Sequence, residues 1–164
     1  MSKVLVAYFS AGGVTAEKAK HVAKAAGADM YEIKPAVPYT KEDLDWHNKE
    51  SRTSVEMRDK TFRPEIAEKL SDISGYDTIF LGFPIWWYTA PLIVWTFLES
   101  YDFSGKTIIT FATSDGTKLG KASQDLKTCV SDSAIIKDGK MLTNMQPLVI
   151  ARWVQELGFS ADAL

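Results

Sequence analysis

The feature that most constrains the fold is a continuous apolar run over residues 4–9 that stops abruptly at Ser10. A run without polar alternation is typical of a strand buried on both faces of a parallel sheet. Small residues follow it, and a helical pattern begins at Thr15. A strand, a tight turn and a helix start in succession predict an anion site, because backbone N–H groups and the positive end of the helix dipole converge there.

Strand and helix patterns alternate along the rest of the chain. Apolar runs predict further strands at residues 29–34, 78–83, 106–111 and 134–136. Helices are predicted at residues 15–26, 41–50, 63–70, 91–98, 119–129 and 144–157. The alternation predicts one α/β domain over residues 1–164, a three-layer sandwich around a doubly wound, five-stranded parallel sheet.

Charge and cysteine content narrow the class of protein. The formal net charge of −2 at pH 7 lacks the basic excess of a nucleic-acid-binding surface, so no nucleic-acid partner is expected. No apolar run is long enough for membrane insertion, and the first residues lack the pattern of a signal peptide. The single cysteine, Cys129, cannot form an internal disulfide, so a reducing, cytoplasmic location is expected.

Three loops are predicted to meet where the strands end, which is where doubly wound sheets bind ligands. They cover residues 10–15, 84–89 and 112–116. The first loop lacks both the Gly-Lys-Ser/Thr ending of a nucleoside-triphosphate loop and the third glycine of a dinucleotide fingerprint. It therefore suits a monophosphate, although a serine and two glycines could also serve turn geometry alone.

The second and third loops suit a flat, polar ring. The second contains Trp86, Trp87 and Tyr88, which cannot all point inward, so at least one is expected to face a ligand rather than the core. The third, from Thr113 to Gly116, offers amides and short polar groups for a heterocycle edge, or is simply a solvated loop. Neither histidine follows a strand and no metal-ligand spacing occurs, so no catalytic residue and no metal site are predicted.

Together the three loops resemble the flavodoxin family. Residues 8–15 resemble its phosphate loop, residues 82–86 resemble its second flavin loop, and residues 113–116 stand where its third loop falls. The resemblance implies strand order 2-1-3-4-5 and a bound FMN. By position, the implied phosphate contacts are Ser10, Gly12, Gly13, Val14 and Thr15. The implied ring contacts are Pro84, Ile85, Trp86, Trp87, Tyr88, Thr113, Ser114, Asp115 and Gly116.

The sequence departs from the family pattern at three points. Val14 replaces the usual asparagine, which is expected to weaken phosphate binding without abolishing it. Trp87 replaces a common glycine, and its Cβ disfavours a positive φ by about 1 kcal/mol, which is expected to favour two-electron chemistry. The third loop lacks a second stacking aromatic, so one flavin face is expected to be open to a nicotinamide, a quinone or a partner subunit.

The resemblance leaves the function open between three alternatives. The first is electron transfer through a non-covalently bound FMN to a redox partner protein. The second is an NAD(P)H-dependent FMN reductase of quinones or similar small acceptors, and the third is a non-enzymatic binding module that has lost FMN. Whether the chain is an enzyme, and whether it is a monomer or a homodimer, also stays open. Residues 35–62 either cover the sheet edge or form a flap over the flavin, with Trp46 as its candidate contact.

Overall fold

The structure is a computed structural model and describes residues 3–114 and 119–161. Five strands form one parallel sheet: β1 (Lys3–Tyr8), β2 (Asp29–Glu32), β3 (Tyr76–Pro84), β4 (Thr107–Thr113) and β5 (Ile135–Met141). Their order across the sheet is β2-β1-β3-β4-β5. The predicted α/β fold and the strand order 2-1-3-4-5 are confirmed.

Helices cover both faces of this sheet. They are α1 (Val14–Ala26), α2 (Arg52–Arg58), α3 (Leu92–Glu99), α4 (Ala122–Leu126) and α5 (Pro147–Glu156). A short 3₁₀ turn, Lys127–Cys129, follows α4 directly. Helix α1 packs against α5 on one face, while α3, α4 and the connection between β2 and β3 lie on the other.

Alternate side chains of the central strands enter two separate cores. Leu5 and Ala7 of β1 join the core under α3 and α4, whereas Val6 between them packs with α1 and α5. In β3, Leu81 and Phe80 divide between the two cores in the same way. Because both faces are covered, these strands need apolar side chains at every position, which is why their sequences show no alternation.

A close approach between β3 and β4 explains a glycine inside a buried strand. Gly82 pairs with Phe111, and a Cβ at Gly82 would lie 2.2 Å from the Cζ atom of that phenylalanine ring. The ring is fully buried and occupies the space that a side chain at position 82 would need. The residue type is therefore set by packing against the neighbouring strand.

The helix predicted at residues 41–50 is wrong, although its start signal is real. Thr40 and Asp43 make the reciprocal bonds of a capping box, with Asp43 N donating to Thr40 Oγ1 (3.1 Å) and Thr40 N donating to Asp43 Oδ2 (3.0 Å). Only turns follow, because the side chains of Asp45 and Asn48 accept from backbone amides two residues on. Helix α2 begins later, where Ser51 Oγ accepts from Ser54 N.

The helix predicted at residues 63–70 is also wrong. This segment pairs with residues that follow β2, through an antiparallel bridge between Pro35 and Ile66. Ala36 N donates to Glu65 O, and Ala67 N donates to Lys34 O, each at 2.8 Å. These long-range bonds use the backbone groups that a helix would need, so the local helical pattern is overridden.

Candidate functional site

The first loop turns sharply between β1 and α1. Gly13 has φ +94°, a left-handed conformation that side chains with a Cβ rarely adopt, and α1 begins at the next residue. The Ser10 side chain closes the turn, because its Oγ accepts from Gly13 N and from Ala16 N, each at 3.1 Å. The serine predicted as a ligand contact thus also caps the helix.

The space above this turn is open. A Cβ built on Gly12 or Gly13 would meet nothing within 4 Å, and Val14 is 46% exposed. The amides of Val14 and Thr15 lie in the first turn of α1, where N–H groups have no acceptor within the helix. An anionic group the size of a phosphate ester therefore fits over the turn, within reach of backbone donors and the positive end of the helix dipole.

A buried hydrogen bond joins the first and third loops. The hydroxyl oxygens of Thr15 and Thr113 lie 2.7 Å apart, one on α1 and the other at the end of β4. Beside them, Ser114 N donates to Thr143 Oγ1 at 2.8 Å. The structure thus brings Thr15, Thr113 and Ser114 together, while the predicted contacts Asp115 and Gly116 lie outside the described residues.

The second loop is a closed four-residue turn after β3. Trp86 N donates to Thr89 O (2.9 Å) and Thr89 N donates to Trp86 O (3.1 Å), so both ends of the turn are bonded to each other. The two residues between them, Trp87 and Tyr88, have φ +49° and +65°. Positive φ at both central positions defines a type I′ turn, which normally takes glycine or asparagine. Trp87 thus adopts a positive φ, although its Cβ makes that conformation unfavourable.

The same loop is tied to β4 and exposes two aromatic rings. Ile85 N donates to Thr113 O at 2.9 Å, so the second and third loops share a backbone bond directly after Pro84. Trp87 and Tyr88 are 40% and 68% exposed, so two of the three aromatic residues of this loop do not pack in the core. Bulky residues held in left-handed backbone conformations are costly and occur mostly where a site needs them.

Trp86 faces the other way and lies in a cluster of three rings. Its ring centroid is 5.4 Å from that of Phe9, at an interplanar angle of 89°, and 5.4 Å from that of Tyr39, at 82°. Phe9 and Tyr39 also meet edge to face, at 5.9 Å. Edge-to-face contacts with two neighbours fix the plane of the half-buried Trp86 indole.

Tyr39 is held by Arg52 and Glu56, two residues that were not predicted to contribute to the site. Its hydroxyl donates to Glu56 Oε1 (2.6 Å), and the Arg52 guanidinium lies over its ring at 3.8 Å while donating through Nε to Glu56 Oε2 (3.0 Å). Burial and the bond to Glu56 raise the pKa of Tyr39. The i,i+4 spacing of Arg52 and Glu56 is a local signal of this pair, but nothing local links either residue to position 39.

The chain belongs to the flavodoxin family. The family model described as Flavodoxin matches residues 3–157, which is nearly the whole chain. That assignment confirms the family that the sequence resembles. A comparison of this chain with curated proteins found no match.

Solved structures give the same assignment. A candidate flavoprotein from Bacteroides uniformis is 47% identical over 94% of this chain and 98% of its own, with a TM-score of 0.89. A candidate flavoprotein from Bacteroides eggerthii is 44% identical over 98% of this chain and 100% of its own, with a TM-score of 0.90. A flavoprotein from Lactobacillus acidophilus, solved in complex with FMN, shares the fold at 20% identity over 86% of this chain and 93% of its own, with a TM-score of 0.64.

The long connection between β2 and β3 contacts the second loop through Tyr39, whose ring lies against that of Trp86. Trp46, the residue predicted as a flap contact, stacks on His47 with the ring centroids 3.8 Å apart and is 65% exposed.

Among the described helices, none has the length and apolar character to cross a membrane. Within the same described ranges, no group of three or more potential metal ligands is found.

Proposed function

We propose that this protein binds FMN non-covalently and transfers electrons through it. A bound flavin supplies the redox chemistry, accepting and releasing electrons and protons, while the protein binds and orients it. The observation that carries the proposal is the joining of an open, glycine-containing turn to an aromatic loop at one edge of the sheet, through Thr15, Thr113 and Ile85. Family membership and the FMN complex of the Lactobacillus acidophilus flavoprotein support it.

The phosphate end of FMN is assigned to the first loop. The open space over Gly12 and Gly13 would accept the phosphate oxygens, and the amides of Val14 and Thr15 would donate to them. Ser10 would hold the turn in shape, since its Oγ already bonds two of the turn's amides. No lysine or arginine is placed in this assignment, so backbone donors and the helix dipole supply most of the binding.

The ring end of FMN is assigned to the second and third loops. Trp86 would present an aromatic surface whose plane is fixed by Phe9 and Tyr39, and the third loop, which begins at Thr113 and Ser114, would meet the polar ring edge. Pro84, Ile85 and the backbone of the turn at Trp87 and Tyr88 belong to the same assignment, as do Asp115 and Gly116 by sequence position. A rigid aromatic surface loses little conformational entropy when a ring stacks on it.

The test is flavin binding by the purified protein, with riboflavin as the matched ligand. We expect bound FMN in the purified protein and, after its removal, rebinding of FMN at least about tenfold tighter than riboflavin, since each hydrogen bond to a charged phosphate contributes about 1.5–3 kcal/mol. A protein that binds neither flavin would contradict the proposal and favour a binding module without cofactor. Equal affinity for both ligands would contradict the phosphate assignment alone.

A second candidate function is NAD(P)H-dependent reduction of a small acceptor. It is favoured by the two exposed rings of Trp87 and Tyr88, which leave an aromatic surface open beside the proposed flavin site. Oxidation of NADH or NADPH by the FMN-loaded protein, without an added reductase, would support this reductase. A protein that is reduced only when a separate reductase is present would support electron transfer to a partner protein.

A further inference from the structure

The second loop has a cleft on its far side, away from the first loop. Its volume is about 380 Å³, which is within the range of small-molecule sites. The cleft is bounded by the aromatic turn, by the start of α3, by the region around Lys60 and by the start of α4. Of the described residues in the first loop and at the end of β4, none lines it.

Three aromatic side chains form its walls. Trp87 and Tyr88 extend from the turn, and Trp95 of α3, which is 8% exposed and has the Arg63 guanidinium over its ring at 5.2 Å, contributes a small part of the wall. The Trp95 indole is held in place, because its Nε1 donates to Ala90 O at 3.2 Å. Two rings on a turn closed by reciprocal hydrogen bonds and one ring anchored in the core form a rigid surface suited to a planar aromatic group.

The charges around the cleft favour an anion. Lys60 and Lys121 line it, and its carboxylate, Asp125, already accepts a hydrogen bond from Thr89 Oγ1 at 2.7 Å. Lys60 Nζ donates to Met57 O, and partial burial lowers the pKa of Lys60 although the charge of Asp125 opposes that shift. The lining residues therefore carry one positive charge in excess, with both ammonium groups at the rim of an aromatic wall.

We propose that this cleft binds a planar aromatic anion. The inference rests on the proposed flavin function. It identifies the small electron acceptor as a quinone-like aromatic compound that carries a carboxylate, sulfonate or phosphate and takes up two electrons and two protons on reduction to the hydroquinone. The ring stacks on the exposed side chains of Trp87 and Tyr88, beside Trp95, and the anionic group lies between Lys60 and Lys121. The turn has Trp86 on one side and Trp87 and Tyr88 on the other, so the bound ring and the flavin are separated by a single loop.

The test is calorimetric titration of the purified protein with naphthalene-2-sulfonate and with its neutral counterpart, naphthalene-2-methanol. Both probes are redox-inactive, so the readout is binding alone. We expect the sulfonate to bind about tenfold more tightly, with an affinity that falls as ionic strength rises, because both lysines are accessible to solvent. Equal binding of the two probes, or binding of neither, would overturn the inference.

Charge-matched double variants separate this cleft from the overall charge. Lys60→Gln with Lys121→Gln is expected to weaken sulfonate binding by about tenfold, whereas Lys24→Gln with Lys69→Gln, at exposed positions elsewhere, is expected to leave it unchanged. Asparagine tolerates the left-handed backbone at position 88, so Tyr88→Asn removes the ring without straining the turn. This variant is expected to weaken the binding of both probes by about three- to tenfold. Equal effects of the two lysine pairs would contradict the proposal.

Titration of the FMN-free and the FMN-loaded protein with the sulfonate tests this inference separately from the proposed function. If the cleft is distinct from the flavin site, the sulfonate binds both forms and does not displace FMN. Displacement of FMN would show that the cleft is part of the flavin site and would overturn the inference while leaving flavin binding intact. A protein that binds the sulfonate but no flavin would contradict the proposed function and still support an aromatic-anion site.

Discussion

The hydroxyl oxygens of Thr15 and Thr113 lie 2.7 Å apart in a buried position, and they join the first turn of α1 to the last residue of β4. The two residues are far apart in sequence but belong to two of the three loops at the proposed flavin site. Because the bond forms within the protein itself, it fixes the spacing of these loops before a ligand binds. The site is therefore preorganised at this point.

Replacing either threonine by valine should destabilise the FMN-free protein by about 1–3 kcal/mol, since the other hydroxyl is left buried without its partner. The double variant should lose less than the sum of the two, because both polar groups are then replaced by apolar groups of similar shape. Urea unfolding of the four proteins in a double-mutant cycle measures this coupling. The matched control combines Thr15→Val with Thr96→Val, which shares no partner with it and should be additive. Additive losses for Thr15 and Thr113 would contradict the coupling.

Val14→Asn should strengthen FMN binding. Val14 is 46% exposed at the start of α1, so the substitution costs little packing and restores the side-chain amide of the family pattern. One added hydrogen bond to a charged phosphate should tighten FMN by about tenfold. Fluorescence titration of the FMN-free variant measures the gain. Riboflavin lacks the phosphate and should bind the variant and the parent protein equally. An equal increase in the affinity for riboflavin would contradict a bond between the introduced side-chain amide and the phosphate.

The free energy of unfolding of Tyr88→Gly should exceed that of Tyr88→Ala by about 1 kcal/mol. This is the reverse of the usual order of glycine and alanine inside helices and strands. The reason is the backbone, which has φ +65° at this residue, while the side chain is 68% exposed and contributes little to the core. Thermal or urea unfolding of Tyr88→Gly and Tyr88→Ala tests the sign of the difference. Alanine equal to or better than glycine would mean that the turn relaxes to another conformation when the ring is removed.

The stability of the protein should fall steeply above about pH 10, and Tyr39→Phe should reduce that slope. Burial and the bond to Glu56 raise the pKa of Tyr39, so the folded protein retains a proton that the unfolded chain releases near pH 10. The stabilisation is complete below that pH and is lost as the pH rises towards the folded pKa, by up to about 1.4 kcal/mol per pH unit.

Urea unfolding between about pH 9 and 12 measures the alkaline slope. Part of it should remain in Tyr39→Phe, because a hydrogen bond to Asp29 raises the pKa of Tyr76 to about 12. Tyr88→Phe, at an exposed tyrosine, is the control and should keep the full slope. An unchanged slope in Tyr39→Phe would mean that the Tyr39 proton is not retained on folding.

The thiol of Cys129 should react slowly with iodoacetamide in the folded protein. Burial raises its pKa to about 11, from an ordinary value of 9.0, so the thiolate fraction near neutral pH falls by about a hundredfold. Since the chain has one cysteine, mass spectrometry gives the rate directly. Alkylation in urea should proceed at the rate of an ordinary thiol. Similar rates with and without urea would contradict the burial argument.

The central strands could be predicted because their physical signal is local. Buried on both faces, β1 and β3 require apolar side chains at successive positions, and that requirement is legible in the sequence. The edge strand β5 was predicted only at residues 134–136, yet it runs to Met141 through Lys137 and Asp138. An edge strand tolerates exposed polar side chains, so its second half carries no apolar signal.

The connection between β2 and β3 could not be predicted because long-range contacts decide its structure. The Thr40–Asp43 capping box forms, but bonds that the side chains of Asp45 and Asn48 accept from nearby amides replace the helix that would follow it. Likewise, the contact of Tyr39 with Trp86 joins residues that no local pattern relates. At the site itself, loop positions and outward aromatics were predictable, whereas the positive φ values of Trp87 and Tyr88 follow from turn closure.

The packing of Phe111 against Gly82 has a consequence for how this sequence can diverge. The phenylalanine ring occupies the volume that a side chain on the neighbouring strand would otherwise fill, so the two positions share one space. Neither can change alone: a larger residue at position 82 clashes with the ring, and a smaller one at position 111 leaves a void beside the glycine. In related chains, a larger residue at position 82 should therefore be accompanied by a smaller residue at position 111.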